Sequence, residues 1–527
     1  MILVKNLRLA LGYGQGELRR AAAKALGVPE RDLGEVKLQR RSLDARKKTD
    51  IHWVCSAAVS VAGSESSVLR RAGAKSAEEY RPFAYVIPQC GALAPRPVVA
   101  GFGPAGIFAA LYLARAGARP IVLERGASIE KRALAVERFR TTGELDERTN
   151  VQFGEGGAGA FSDGKLATGT HDPRVPWVLD CLRCAGAPED IVYDAKPHIG
   201  TDLLPIVVKN LRQEIEALGG EVRFETKLTG LRIRGGALCG AETDGGEVID
   251  CASLILAVGH SARDTFEMLA SLGVPLEPKP FSMGVRIEHL QRDISLAQYG
   301  EQWASLPAAD YRLNCRLPDG SSAYTFCMCP GGEVIAAASE SGGVVTNGMS
   351  RRARDGENAN SALLVTLTPE DFPYSGALGG MYWQREIERR CFALGGGDYS
   401  APAQTVGDFL AGRASTGAGR VLPSYRPAVR WCDLHSALPE RITGVMAAAL
   451  PQLGRRLAGF DDPEAVLTAP ETRSSSPVRI LRDADCRSAL RGLYPCGEGA
   501  GYAGGITSAA VDGLRCAERV IAETMKK

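Results

Sequence analysis

The apolar stretch Ile2 to Leu9 is interrupted by Lys5 and Arg8, which suits a strand with one solvated face. An alanine-rich amphipathic run from Gln15 to Leu26 predicts a helix, Val36 to Lys48 predicts a charged extended segment, and Ile51 to Val61 predicts another strand. Together these make a small α+β domain of ferredoxin-like build over residues 1–95, closed by the linker-like Gly91-Ala-Leu-Ala-Pro95-Arg-Pro97. Beyond it, Pro97-Val-Val-Ala100 is a buried strand and Ile107 to Arg115 a helix. Asp202 to Leu218 has helical periodicity, and Glu221 to Asp250 reads as a β-meander punctuated by glycines. Leu254-Ile-Leu-Ala-Val-Gly259 is a further buried strand, and a last helix runs from about Thr507 to Met525. The expected class is α/β. A Rossmann-type domain with its meander occupies 96–285 and 461–527, and an inserted α+β substrate domain occupies 286–460.

Length and composition fit this layout. A chain of 527 residues exceeds one ordinary core, and 45% apolar with 24% charged residues is a globular balance. The net charge of +2 nominates no partner. Residues 1–80 hold fifteen Lys/Arg against nine Asp/Glu, an excess that suits either an RNA-facing surface or a guarded strand edge, and the guarded edge is the simpler expectation. Charges break the first apolar run before it could serve as a signal peptide, and no stretch is apolar for the length of a bilayer. Fourteen cysteines without a disulfide rhythm fit a reducing cytoplasm.

The chemistry concentrates where glycine does. Gly101-Phe-Gly103-Pro104-Ala105-Gly106 follows a strand and opens a helix, the order a dinucleotide site requires. Gly101 allows the tight turn, Gly103 the approach of a pyrophosphate, and Gly106 close packing of helix on strand. A second strand, Pro120-Ile-Val-Leu-Glu124, brings Glu124 to where a ribose diol needs an acceptor, with Arg125 beside it and Leu228 contributed by the meander. Near the other end of the chain, Gly497, Glu498, Gly504, Gly505 and Ile506 form a strand-end carboxylate followed by a helix start. That pair of features suits the ribityl chain and the electron-rich edge of a flavin, and so selects FAD over NAD as the resident cofactor. No second strand-glycine-helix unit lies between Gly259 and Gly492, which leaves NAD(P)H only as a transient electron donor.

The runs Val151 to Leu166, Phe326-Cys-Met-Cys-Pro-Gly-Gly332, Thr472 to Val478 and Tyr494 to Gly505 closely resemble a family of bacterial FAD-dependent dehydrogenases of unassigned substrate, over nearly the whole chain. The chain is more distantly similar to the glutathione-reductase-type superfamily with two dinucleotide-binding domains, whose A-T-G strand end corresponds to Ala257-Val-Gly259. Val258 replaces the usual threonine, and Glu498 replaces the usual aspartate. The resemblance implies that Gly156, Gly157, Ser162 and Lys165 pass close to the cofactor.

Candidate catalytic positions are His260, after the strand ending at Gly259, together with Arg286 and Arg473, which could bind a carboxylate or polarise a carbonyl; His289 joins them as a weaker case. Cys181 and Cys184 are expected to be structural, no disulfide is expected between Cys327 and Cys329, and no metal site is implied. The functional expectation is an FAD-dependent oxidoreductase acting on an unidentified small molecule. Its competitors are an RNA-associated flavoprotein that binds or modifies tRNA, and a flavin-binding protein without turnover.

Overall fold

A computed structural model describes residues 1–73 and 75–525. The first 79 residues alternate strand and helix as βαββαβ, and the four strands form one antiparallel sheet in the order Leu33–Asp44, His52–Val61, Ile2–Leu9, Ala77–Glu79. The helices Gln15–Leu26 and Glu65–Ala72 cover it, with Leu18, Ala22, Leu26 and Val68 packed on Ile2, Val4 and Val59. Composition alone does not reveal Glu65–Ala72, where Ser, Glu and Arg dominate, or Ala77–Glu79, which is Ala-Glu-Glu.

This unit docks through Arg41. Its guanidinium donates to both carboxylate oxygens of Asp194 at 2.7 and 2.9 Å and lies over the rings of Trp53 and Tyr193. One basic residue of the local excess is therefore spent on an intramolecular pair. Residues 80–97 run extended along the next domain, where Tyr85, Ile87, Cys90 and Leu93 pack against its core.

The second domain is organised by a five-stranded parallel sheet. Its order is Leu493–Pro495, Leu254–Leu256, Val98–Ala100, Ile121–Leu123, Glu221–Arg223. Strands as far apart in sequence as Leu254 and Leu493 are neighbours here, because parallel pairing needs crossovers and the intervening chain supplies them. Glu221–Arg223, expected in the meander, instead forms the sheet edge; the meander proper is Leu228–Arg234, Ala237–Thr243 and Val248–Asp250.

Between residues 281 and 471 a seven-stranded, mostly antiparallel sheet forms the middle lobe. Its central strand Phe281–Leu290 pairs with Asn358–Leu367 on one side and Val466–Glu471 on the other. The boundary expected at 285/286 falls inside that strand, whose unbroken burial gives the sequence no mark at the crossing. Among the described residues, no helix is long and apolar enough to cross a membrane.

Glycine sets the tightest helix contact. The last helix, Ile506–Thr524, packs on Pro104–Arg115, and a Cβ at Gly513 would overlap the Ala105 carbonyl oxygen. Gly513→Ala is expected to cost about 1–3 kcal/mol by overpacking. Gly444→Ala, in the exposed middle of Glu440–Gly454 with open space around it, should gain about 0.5–1 kcal/mol. Urea denaturation of the two variants checks the opposite signs.

Candidate functional site

Every strand of the parallel sheet ends on the same edge, so the loops after Ala100, Leu123, Leu256 and Pro495 converge there. The cleft they form encloses about 340 Å³, within the range of small-molecule sites. Gly101, Gly103, Pro104, Ala105, Glu124, Arg125, Gly157, Ser162, Lys165, Leu228, Gly259, Glu498, Gly504, Gly505 and Ile506 all line it. Gly106, Gly156 and Gly497 do not. Gly106 packs beneath the turn, where a Cβ would overlap the Gly101 carbonyl, and Gly156 sits against Val208 and Ala160. Gly497 faces Ala105 and donates its N–H to Asp512 at 2.7 Å.

The floor is backbone. Gly157 lies back to back with Gly103, and the Gly156 N–H donates to the Phe102 carbonyl at 2.8 Å, so the two glycine segments form one surface. First-turn N–H groups of Pro104–Arg115 have no intrahelical acceptor and open towards the cleft beside Ala105. Glu124 is already occupied: it accepts from Phe102 N at 2.8 Å and from Gly126 N and Gly154 N at 2.9 Å. Three acceptor positions are thus spent on organising loops, which leaves little more than one for a ligand hydroxyl. Arg125 lies over the Phe153 ring at 4.3 Å and donates to Asp264 and Thr265.

Arg132, which sequence inspection missed, holds this floor. Fully buried on the helix Ile129–Thr142, it donates to the carbonyls of Asn150, Val151, Gly154 and Glu155 at 2.6–3.2 Å. Burial pulls its guanidinium down to about 10, against the pull of Glu124 and Glu155, yet it stays charged at neutral pH. Arg132 is one of three arginines in that helix, and nothing in the sequence sets it apart from Arg138 and Arg140.

The middle lobe supplies the opposite wall with Phe326, Cys327, Asn347, Glu471, Arg473 and Ser474. Arg473 is not free for a substrate: Nε and Nη2 engage Glu388 at 3.0 and 2.8 Å, and Nη1 donates to Ser339. Arg263 grips the same carboxylate, and the two cations outweigh burial and hold Glu388 well below the usual carboxylate range. His260 lines the cleft with Nδ1 3.0 Å from Ser261 Oγ; burial, then Arg473 and Arg263, push it down to about 3, so the imidazole is neutral. Arg286 lies behind the wall, fully buried, and His289 is remote, with Nε2 2.8 Å from the Phe460 carbonyl.

Two carboxyls face the cleft in a protonatable state. Burial pushes Glu498 up to about 7, opposed by Lys279, and burial pushes Glu471 up to about 7, opposed by Arg286. Glu471 Oε2 has no hydrogen-bond partner. Its signal in the sequence is a carboxylate ending the otherwise apolar run Val466-Leu-Thr-Ala-Pro-Glu471.

Lys165 Nζ lies 2.7 Å from Asp163 Oδ2, which Arg354 also grips. Asp163 is fully buried, so this is an ion pair on a desolvated carboxylate. Cys496, Asp512 and Cys516 bring ligand atoms within 4.8 Å of one another, but Arg482 already neutralises Asp512 at 2.6 and 2.9 Å, which disfavours a cation there.

Residues 280–474 match the family described as FAD-dependent protein, C-terminal domain-like, and residues 1–60 match a domain of unknown function. An uncharacterized protein of Clostridium beijerinckii is 48% identical over 528 residues, covering 99% of this chain and 98% of that one. Among solved structures, glycine oxidase from Bacillus cereus is 12% identical with a TM-score of 0.32, covering 81% of this chain and 95% of its own. L-proline dehydrogenase from P. horikoshii is 10% identical at 0.33, covering 83% and 94%. Likeness this loose carries nothing about substrate.

Arg132→Met should strip four carbonyls of their donor and destabilise the protein by about 3 kcal/mol, read by urea denaturation. The raised Glu498 carboxyl means that the folded cofactor-free protein binds a proton more tightly than the unfolded chain. Its stability contribution is therefore present at low pH and lost as pH rises from the ordinary glutamate range through about 7. Glu498→Gln should flatten that fall in a plot of Tm against pH.

Proposed function

This chain belongs to a family of FAD-dependent proteins, and we propose that it is an oxidoreductase whose parallel-sheet domain holds FAD while the middle lobe covers the reactive face and admits a small-molecule substrate. One observation carries the proposal: the Gly101–Gly106 turn and the Glu498–Ile506 segment, nearly 400 residues apart, line a single cleft. The donors there fit a dinucleotide. The first-turn N–H at Ala105 suits a pyrophosphate, and Glu498, half-buried and lining the cleft, suits a ribityl hydroxyl. The second helix start, at Gly505–Ile506, favours negative charge at a flavin edge by about 0.3–1 kcal/mol. The meander between the third and fourth strands of the parallel sheet, counted along the chain, supports a glutathione-reductase-type arrangement.

Bound in this cleft, FAD would supply two-electron redox chemistry. The protein's own part is to orient, to exclude water and to keep protons. Glu471 holds a proton near neutral pH at the wall, where a substrate group could take or return it. Neutral His260 can accept or donate one hydrogen bond without adding charge. Arg263, Glu388 and Arg473 clamp the middle lobe onto the nucleotide domain and so set the width of the cleft.

The protein purified from cells should be yellow and release one FAD per chain on denaturation. Gly103→Val with Glu498→Ala should leave it folded and colourless. Anaerobic mixing with candidate donors, NAD(P)H among them, would identify the one that bleaches the wild type. A wild type that stays folded yet takes up no FAD, even on reconstitution, would sink the proposal.

A further inference from the structure

The segment Phe326-Cys-Met-Cys-Pro-Gly-Gly332 is not explained by cofactor binding, yet it enters the cleft wall. Positions i and i+2 of a strand share a face about 6–7 Å apart, the outer limit of what a disulfide spans. The strand Ser322–Cys329 is not regular there. Its pairing with Asn358–Leu367 slips between Phe326 and Cys329, and Cys327 takes φ +42°, a left-handed conformation rare for a residue with a side chain. Such strain at a cleft marks a position held for a purpose other than pairing.

The bulge turns the two cysteines onto each other. Cys327 lines the cleft, whereas Cys329 is fully buried, and the Cys329 thiol donates to the Cys327 carbonyl at 3.3 Å. Arg286 Nη2 donates to the Cys327 carbonyl at 2.9 Å and lies 3.6 Å from Cys329 Sγ. The guanidinium fits only because residue 348 is glycine, since a Cβ there would overlap it. Lys165, ion-paired with Asp163, is the second cation. The Cys327 thiol, then Lys165 and Arg286, hold Cys329 below the usual thiol range, while Cys329 and burial hold Cys327 above it. One thiolate and one thiol, side by side, is the state from which a disulfide forms.

We propose that Cys327 and Cys329 are a redox-active pair that cycles between dithiol and disulfide by exchanging two electrons with the cofactor in the adjacent cleft. This rests on the FAD assignment above, and it replaces the expectation that the two cysteines stay unlinked. In the oxidising direction the Cys329 thiolate and the Cys327 thiol form one S–S bond. The Cys327 S–H proton and two electrons leave together, and a flavin held in the adjacent cleft would be the acceptor of both electrons and of that proton. The reverse step returns a thiol and a thiolate. Cys327 is the exchanging sulfur because it reaches the cleft, and Arg286 and Lys165 are positioning residues that stabilise the buried thiolate. The pair gives the enzyme a second store of electrons, and it points to thiol or disulfide compounds as the partner substrate class.

The test uses the holoprotein as purified in air. FAD content is read first, so a protein without FAD overturns the cofactor assignment and this proposal together, before any thiol is examined. With FAD present, anaerobic dithionite titration should consume two two-electron equivalents per flavin in the wild type and one in Cys329→Ser. Differential alkylation with mass spectrometry should find a Cys327–Cys329 linked peptide before reduction and two alkylated thiols after it. This readout needs no variant to fold. A wild type that takes one equivalent per flavin, with both thiols alkylated before reduction, overturns the proposal and leaves the cofactor assignment intact.

Discussion

The close approach of two helices over one parallel sheet is the constraint on which the site depends. Pro104–Arg115 and Ile506–Thr524 can both aim their first turns at the same cleft only if their backbones nearly touch, and Gly513 against Ala105 is where they do. The same demand repeats beneath the turn, where Gly106 meets Gly101, and beside it, where Gly157 meets Gly103. A methyl group on Gly513, Gly106 or Gly157 would push apart surfaces whose value lies in carrying unpaired N–H groups. These glycines give up conformational entropy in exchange for exposed backbone donors.

Buried charge does the complementary work of fixing one lobe on another. Arg263 belongs to the helix Arg263–Ser271 of the nucleotide domain, and Glu388 to the helix Gly379–Gly395 of the middle lobe. Their contact at 2.8 and 2.9 Å is completed by Arg473 from the loop after Val466–Glu471. Desolvating three ions makes such a triad poor evidence of stability, since an apolar replacement could do as well. Its geometry is nonetheless exacting, because any other docking of the lobes would strand a charge. Asp163, shared by Lys165 and Arg354, repeats the device on the other side of the thiol pair. There the cations do double duty, since Lys165 also bears on Cys329.

Much of the scaffold was legible in the chain itself. Ile2–Leu9 and Gln15–Leu26 were expected with the limits they have, because alternation and helical periodicity are local properties. The two glycine segments that meet in the cleft were legible as well, since turn geometry restricts them to glycine in any context. Glu221–Arg223 was not, because an edge strand of three residues looks the same whether its partner is a meander or a parallel sheet. Arg473 was singled out for a substrate, and its charge is spent on Glu388, a residue 85 positions away that nothing local connects to it.

The sequence by itself therefore determined the strongly periodic elements and the two glycine turns that meet in the cleft, because each is written in short-range spacing. Only the tertiary structure decided which charges are free and which are spent. It turned Arg132 into a loop anchor, left Glu471 Oε2 without a hydrogen-bond partner, and set Cys329 against Arg286. The reason is physical: reactivity depends on burial and on neighbours brought from distant parts of the chain, and neither is a property of a residue's place in the sequence.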